Sequence, residues 1–390
     1  MPAERHFRYV ILGAGAAGLS LCHQLLKRGV GDPILILDRK TAFEDDRTWC
    51  FWDVQPAPFA DIATRCWHRW DVFDAQGRRA AQASDGVGYA CLRGGDFYAH
   101  VLSGIRRCAN VTLKLGCPVR GCRPAADSVE VEADGAYTAD YVFDSRPVPP
   151  ADGGAAFTQR FFGQIVRTEQ PRFDPARCTL MDFRAPQEHG LHFFYLLPFS
   201  PTEALVENTY IQDSRVPAAA APAHRAEIAG YLAAHHRLTD FAVTREEAGA
   251  IPMTTRAFPR RDGRVFLIGT AGGCTKPSSG YTFARIQEQC RQIAESAAAG
   301  TLDGFRERLA PVRYRLFDTI FLQAMREQPL SFPGHFRRLF TQVPPATLTA
   351  FLSETSTWRD DLTIIRCLPL GPFLGAALRC LPALLRSARG

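Results

Sequence analysis

The chain has 390 residues, of which 46% are hydrophobic and 22% are charged, and this composition is typical of a folded globular protein rather than a disordered one. The formal net charge of +6 is mild; it fits weak attraction to an anionic membrane surface, and we expect no nucleic-acid partner. None of the 12 cysteines forms a CxxC pair, so we predict no metal site and expect reduced, mostly buried thiols.

The chain opens with a strand, a glycine-rich turn, a helix and a second strand. The apolar run 7–12 predicts the first strand, and apolar residues at helical spacing follow it as far as Gly29. The run 34–37 predicts a second, buried strand, so the segment forms one βαβ unit. Because the first strand starts within ten residues of Met1, we expect no targeting peptide ahead of it.

The turn at 13–18, Gly-Ala-Gly-Ala-Ala-Gly, has the spacing of a dinucleotide-binding turn. Gly13 permits the tight turn, Gly15 lets the backbone approach a pyrophosphate, and Gly18 lets the helix pack close to the sheet. Asp38 lies 20 residues after Gly18, where an acid would meet a ribose hydroxyl, which favours FAD or NAD over NADP. The alternative is an ordinary glycine loop. The predicted nucleotide-binding residues are Gly13, Gly15, Ala16, Ala17, Gly18, Asp38 and Arg39.

A second glycine motif follows the predicted strand 264–269, with Gly269, Gly272 and Gly273 ahead of Gly280 and a predicted helix over 280–299. We predict that this segment closes over the same cofactor, which favours FAD over a free nicotinamide; the alternative is a structural turn. Arg93 stands beside a predicted helix start, and we interpret it as a phosphate contact or a surface ion pair.

A second sheet is predicted over 160–212, and it places an acid in an apolar strand. Strand alternation puts Glu207 on one face with Leu205 and Thr209, and puts Asn208 and Tyr210 on the other. Burial raises the pKa of such a carboxyl, which suits a general acid. The alternative is a solvated position at the same strand.

Aromatic residues cluster at 46–52, where Trp49 and Phe51 fit either core packing or the wall of an apolar substrate channel. At the other end of the chain, 367–385 is apolar but is interrupted by three prolines and Arg379, so no spanning helix is predicted. We expect a peripheral membrane attachment here, and the alternative is a pair of core helices. The arginines expected at lipid headgroups are Arg366, Arg379, Arg386 and Arg389.

Together these blocks resemble the bacterial lycopene β-cyclases. The resemblance rests on GAGAAG, DRTWCFW, DYVFDSRP, TLMDFR, ALVENTY, AIPMTT and GTAGGCTKPSSGYTF, which stand in family order over most of 9–290. It implies an α/β fold, with α+β character in the second lobe: a Rossmann-type FAD-binding domain of the flavoprotein monooxygenase-like class, an inserted sheet and a helical tail. The expected parts are 1–150 with 245–300 for FAD, 151–244 for substrate, and 301–390 for membrane contact.

The resemblance also implies an intramolecular lyase, or isomerase, that turns lycopene into γ-carotene and then β-carotene by acid–base chemistry with reduced FAD and no net oxidation. It implies related carotenoids as substrates, NAD(P)H as the electron source, and a peripheral place on the cytoplasmic side of the bacterial inner membrane. The family's acidic motif maps onto Glu207, but its usual second acid is here Asn208. Trp49, Phe51, Tyr210 and Tyr281 are candidates for lining the tunnel or stabilising a cation.

Two other functions fit the same motifs. A redox flavoenzyme, such as an FAD-dependent hydroxylase or a prenyl-chain reductase acting on a lipophilic polyene, would share both glycine motifs but would change the mass of its substrate. A non-catalytic flavin or carotenoid carrier would not need Glu207 for any activity.

Overall fold

The computed structural model describes residues 5–54, 58–147, 157–217 and 219–387, with side chains as far as residue 380. The strands are β1 (Arg5–Leu12), β2 (Ile34–Leu37), β3 (Thr48–Asp53), β4 (Arg65–Trp67), β5 (Arg69–Phe73), β6 (Arg79–Ala83), β7 (Gly88–Arg93), β8 (Val111–Lys114), β9 (Gly121–Pro124), β10 (Val129–Glu132), β11 (Ala136–Asp144), β12 (Phe157–Arg167), β13 (Cys178–Asp182), β14 (Leu191–Ser200), β15 (Glu203–Asp213), β16 (Ala242–Met253), β17 (Arg261–Asp262) and β18 (Val265–Leu267). The helices are α1 (Ala16–Lys27), α2 (Gly94–Ile105), α3 (Ala221–His236), α4 (Phe283–Ala298), α5 (Val312–Glu327), α6 (Phe332–Gln342), α7 (Pro345–Leu352), α8 (Trp358–Cys367) and α9 (Leu370–Ser387).

The first sheet has the order β17-β18-β11-β1-β2-β8, with β10 and β9 added beside β11. Strand β1 pairs in parallel with both β2 and β11, and α1 crosses between β1 and β2. All four residues of β2 are buried, as a strand covered on both faces requires. The predicted βαβ unit is therefore confirmed, and the carboxyl ends of β1, β2 and β11 meet at one edge of the sheet.

The second sheet has the order β16-β12-β15-β14-β13-β5-β6. One face packs against α3 through Ile228, Tyr231 and Leu232, while part of the other face packs against α5 and α6. The predicted domain ranges do not follow this sheet. Strands β5 and β6 lie within the range 1–150 but pair with β13, and β16 crosses the boundary at 244. As far as the structure describes it, to residue 387, the region from 301 onward is mostly helical.

No single helix among the described residues has the length and apolar composition to cross a membrane; α8 together with the first part of α9 reaches that composition only as a pair bent by 115°. All 12 cysteines are free, and most of them are buried. Among the described side chains, no three His, Cys, Asp or Glu residues are grouped as a metal ion would need.

Candidate active site

A cavity of about 1290 Å³, which we call the cleft, lies between the carboxyl edge of the first sheet and one face of the second. The first sheet contributes the β1–α1 turn, the end of β2 and the residues that follow β11. The second sheet contributes Leu205 and Glu207 of β15 and Tyr195 of β14. The cleft thus brings the glycine turn and the predicted acid into one cavity.

The β1–α1 turn has the geometry of a phosphate site. Gly13 has φ +98°, and a Cβ on Gly18 would stand 1.9 Å from the Gly13 carbonyl oxygen, so both positions need glycine. Gly15 lines the cleft, and a Cβ there would meet no atom within 4 Å. No described side chain caps the N-terminus of α1 at Gly15, so its first-turn N–H groups are available to an anion.

Asp38 and Arg39, at the end of β2, also line the cleft. The Asp38 carboxylate accepts hydrogen bonds from the Ala14 N–H at 2.5 Å and from the Lys40 N–H at 2.7 Å. Asp38 is therefore held against the glycine turn, where a ribose would follow a bound pyrophosphate. Ala16 and Ala17 complete this side of the cleft, and the predicted residues of the first motif, apart from Gly18, come together at its surface.

The second glycine motif shapes the wall of the cleft more than it lines it. Gly280 and Thr270 are in the lining, whereas Gly269, Gly272 and Gly273 are not. A Cβ on Gly269 would stand 2.7 Å from Cβ of Ala17, so this glycine lets the 269–273 turn pack on the start of α1. Gly272 and Gly273 are confined in the same way. A Cβ on Gly272 would stand 2.2 Å from the Leu267 carbonyl oxygen, and a Cβ on Gly273 would stand 3.0 Å from the Phe258 ring.

Arg93 does not reach the cleft. Its guanidinium binds Asp45, with an Nε to Oδ2 distance of 2.8 Å, and both side chains are mostly buried. The predicted phosphate contact is therefore not formed; the ion-pair alternative describes this residue. The pair ties the start of α2 to the segment before β3, because Asp45 also accepts a hydrogen bond from the Gly95 N–H at 3.0 Å.

Glu207 projects from β15 into the cleft with Thr209 beside it, and the Thr209 hydroxyl donates to Oε1 at 2.9 Å. Burial, and after it the nearby Glu247, raise the pKa of this carboxyl, and the Thr209 hydrogen bond opposes them; together they bring the pKa from 4.5 to about 8. The side chain is half-buried and meets the cleft. At neutral pH it is mostly protonated, the state that a general acid needs.

Asn208 and Tyr210 point to the opposite face of β15, as strand alternation requires. The Asn208 side chain accepts a hydrogen bond from His192 Nε2 at 2.7 Å and donates to Glu227 of α3. The Tyr210 hydroxyl donates to Glu227 at 2.8 Å, and its ring stacks on His192 at 3.9 Å between centroids. Tyr210 therefore does not line the substrate path, and our assignment of it there is corrected: it fastens α3 to the sheet.

Of the remaining aromatic candidates, Trp49 and Tyr281 line the cleft and Phe51 does not. Trp49 lines the cleft and stacks on Phe283 with centroids 5.7 Å apart. Phe51 is 3% exposed and packs on Phe283 inside the core, so of its two interpretations the structure selects core packing. Tyr281 lines the cleft and also a second cavity.

This second cavity, which we call the tunnel, has a volume of about 310 Å³ and a lining that is almost entirely apolar. It shares four lining residues with the cleft: Gln159, Tyr195, Ser279 and Tyr281. From there it runs between the second sheet and α5–α9, and its far wall includes Ile365, Leu370 and Leu374, which are more than one-third exposed. The tunnel therefore lies between the cleft and the outer surface of α8 and α9.

Sequence patterns did not point to Tyr195 or Glu247. Tyr195 lies directly across from Glu207 in the β14–β15 pair. Glu247 lies on β16, two strands from Glu207, and is 5% exposed. Alternation along 191–200 and 242–253 could have predicted which side chains share a face, but only the pairing of the strands brings them to Glu207.

The chain is similar to known proteins of one family over most of its length. The family model described as "Lycopene cyclase protein" matches residues 9–378. The chain belongs to the lycopene cyclase family. A lycopene beta-cyclase from Paracoccus sp. (strain N81106 / MBIC 01143) is 25% identical over 96% of this chain and 96% of its own length. The family is one of enzymes, so the carrier alternative is set aside.

Solved structures show that this lycopene cyclase family member has the fold predicted for it. A geranylgeranyl bacteriochlorophyll reductase-like protein from Thermoplasma acidophilum has a TM-score of 0.64 at 10% identity, over 97% of this chain and 100% of that one. A halogenase in complex with FAD has a TM-score of 0.57 at 11% identity, over 88% of this chain and 78% of that one. The fold is that of these flavoproteins, with the Rossmann-type sheet, the inserted second sheet and the helical C-terminal region.

Proposed function

We propose that this chain is a lycopene β-cyclase that binds FAD in the cleft and converts the linear ψ-ends of lycopene into β-ionone rings with no net redox change. The observation that carries the proposal is the position of Glu207: a largely protonated carboxyl stands in the cavity that holds the glycine turn, and this cavity adjoins an apolar tunnel. Lycopene is an apolar polyene, and γ-carotene and related carotenoids would fit the same path.

The residues around the turn suit FAD. The N–H groups at the start of α1, with Gly13, Gly15, Ala16 and Ala17, would hold the pyrophosphate, and Asp38 would meet the ribose. Arg39 is placed to neutralise phosphate charge from the rim. When bound, reduced FAD supplies an electron-rich ring that stabilises positive charge beside it; we propose NAD(P)H as the source of its electrons.

The chain's own residues supply the acid–base chemistry. Glu207 donates its proton to the terminal double bond of the substrate, which leaves a tertiary cation on the adjacent carbon. The neighbouring double bond attacks this cation and closes the ring, and loss of one ring proton gives the product, so protons gained and lost are equal. Tyr195, Trp49 and Tyr281 present aromatic rings and exclude water from the cation.

The tunnel mouth fits delivery of a lipid-soluble substrate. Exposed apolar side chains repeat at helical spacing on α8 and α9, and we name them the α8–α9 surface: Trp358, Leu362, Ile365, Leu370, Leu374 and Leu378. Arg359 and Arg366 stand on the same helix as the first three and are exposed. We propose that this surface lies in the interface of the bacterial inner membrane on its cytoplasmic side, as a peripheral attachment.

A redox reaction on a lipophilic polyene is the second candidate, because the reductase-like protein from Thermoplasma acidophilum shares the fold. The two candidates differ in the mass of the product. Purified protein is to be incubated without oxygen with lycopene in vesicles, FAD and excess reductant. An unchanged mass with a shifted absorption spectrum supports the cyclase; a gain of hydrogen, or of oxygen when air is admitted, supports the redox enzyme.

A further inference from the structure

A second buried carboxyl stands on the same face of the sheet as Glu207, on a different strand. Strand β12 lies between β15 and β16, and its Gly163 is directly opposite Glu207 on one side and Glu247 on the other. Side chains at directly opposed positions point to the same face of a sheet, and neighbouring strands are about 4.8 Å apart. Glu247 is therefore the acid nearest to Glu207 in the register, although 40 positions separate them in the chain.

Gly163 leaves the space between the two carboxyls open to Glu247. A Cβ on Gly163 would stand 3.2 Å from Cγ and 3.5 Å from Oε1 of Glu247, and 3.0 Å from Cδ1 of Leu205. The Glu247 side chain thus leans over Gly163 in the direction of Glu207. A larger residue at 163 would push it away.

Glu247 is held by donors on its far side. Its Oε2 accepts hydrogen bonds from Arg245 Nη2 at 2.8 Å and from the Thr48 hydroxyl at 3.0 Å. Arg245 also pairs with Asp45 at 2.8 Å, so it is held even without Glu247. Burial raises the pKa of Glu247, but Arg245 and Thr48 counter the shift by favouring the ionised form.

The remaining titratable groups near the pair are neutral or distant from Glu207. Burial raises the pKa of Tyr195 on β14 well above its ordinary value, and it raises that of Tyr281 as well. The pKa of Cys50 on β3 is raised well above its ordinary value, mostly by a hydrogen bond with Cys91 and then by burial. Arg47, Asp45 and Arg245 surround Glu247, and Arg47 and Arg245 lower its pKa while Asp45 raises it. The charge that acts most directly on Glu207 is therefore that of Glu247.

We propose that Glu247 is a positioning residue for Glu207: its carboxylate keeps the proton on Glu207 until the polyene is bound. Glu247 is outside the cleft lining, so it acts through Glu207 and does not touch the substrate. The inference rests on the proposed function only in that the proton of Glu207 is the one given to the polyene. The electrostatic coupling of the two carboxyls is a property of the protein itself.

The test is Glu247→Gln, which removes the charge, keeps the shape and leaves Arg245 paired with Asp45. Cyclisation requires protonated Glu207, so the wild-type rate falls on the alkaline side of its pH profile. In Glu247→Gln this alkaline limb should move to lower pH by roughly one unit. This is the shift expected for two charges that stand two strand spacings apart at an effective dielectric constant of about 20. The rate well below the limb should stay within about threefold of wild type. A limb that does not move, or that moves to higher pH, overturns the proposal.

Two controls accompany it. Glu246 is the next residue in the chain, points to the opposite face of β16 and is ion-paired with Arg225. Glu246→Gln should therefore leave the alkaline limb in place. Glu247→Asp keeps the charge and should restore the limb to within a few tenths of a unit. If Glu247→Gln does not fold, Gly163→Ala displaces the carboxylate instead, and a limb that moves to lower pH again supports the proposal, while an unmoved limb overturns it.

A readout without turnover separates this inference from the proposed function. The carbonyl stretch of protonated Glu207 is identified by infrared difference between wild type and Glu207→Gln, and is followed against pH with no substrate present. The band should titrate at lower pH in Glu247→Gln than in wild type, even if no polyene is ever cyclised. The same titration midpoint in both proteins overturns the inference while leaving the cyclase proposal standing.

Discussion

Glu207 and Asn208 are neighbours in the chain, yet they serve opposite faces of β15. The Glu207 carboxyl enters the cleft, whereas the Asn208 amide is buried under α3, bonded to His192 and Glu227. A second acid at 208 could not therefore face the same substrate as Glu207. The polar residue at 208 is part of the contact between the second sheet and α3.

Asn208→Asp tests this separation. The change places a carboxylate against Glu227, where the amide now donates a hydrogen bond, so we expect the free energy of unfolding to fall by about 1–3 kcal/mol. The rate of cyclisation in the folded protein should stay within a few fold of wild type. Urea unfolding and initial rates measure the two effects. A tenfold faster reaction with unchanged stability would show that position 208 does supply an acid to the site.

The raised pKa of Glu207 has a consequence for stability. Because the pKa rises from 4.5 to about 8 on folding, the folded protein holds this proton more tightly than the unfolded chain does. The protonated carboxyl therefore favours folding at low pH, and this stabilisation is lost as the pH rises from about 4.5 through 8. Glu207→Gln has no proton to lose. We expect this variant to exceed wild type in unfolding free energy by about 2–4 kcal/mol near pH 8, and by much less near pH 4.

Urea unfolding of the two proteins at both pH values, without added flavin, measures this difference. Glu246→Gln serves as the control, because its carboxylate is ion-paired with Arg225 and has a lowered pKa; it should not gain stability at high pH. Equal stability of wild type and Glu207→Gln near pH 8 would mean that Glu207 is already ionised in the folded protein.

Gly15 tests the cofactor site without disturbing the fold. Its φ of −89° and ψ of −164° are open to any residue, and a Cβ would meet no atom within 4 Å. Gly15→Val should therefore fold normally but weaken FAD binding by at least about tenfold, because the side chain projects where a pyrophosphate would approach. Gly31→Val, also free of neighbours within 4 Å, is the matched control for fluorescence titration with FAD. Equal FAD affinity in both variants would place the cofactor elsewhere.

Substitutions at Leu362 and Leu378 test the α8–α9 surface separately from the tunnel. They are 48% and 67% exposed, and neither lines the tunnel. The double change to Glu should reduce co-sedimentation with vesicles containing anionic lipid by roughly tenfold or more, because two charges would enter the interface. Val243→Glu, at an exposed apolar position on β16, should bind as wild type does. Equal binding of all three proteins would argue against attachment through α8 and α9.

Local patterns in the sequence were enough for the parts of the site that lie close together in the chain. The βαβ unit, the glycine turn with Asp38, and the face of β15 that carries Glu207 all follow from spacing and alternation. The sequence could not decide between the two interpretations of Arg93, because its partner, Asp45, lies 48 positions away and periodicity does not predict an ion pair. Glu247 was missed for a similar reason, since only the β15–β12–β16 pairing brings it to Glu207. Strands β5 and β6 likewise join the second sheet through β13, far along the chain.

The origin of the proton added to the ring shows whether Glu207 is the acid. Wild-type protein, equilibrated in D₂O with FAD and reductant, carries an exchanged deuteron on the Glu207 carboxyl and should deliver it to carbon. We expect every β-ring formed to contain one deuterium from the solvent, with no other change in mass. We also expect Glu207→Gln to form rings at least about 100-fold more slowly while still binding FAD. Rings formed without deuterium, or at an undiminished rate in Glu207→Gln, would mean that Glu207 is not the proton donor.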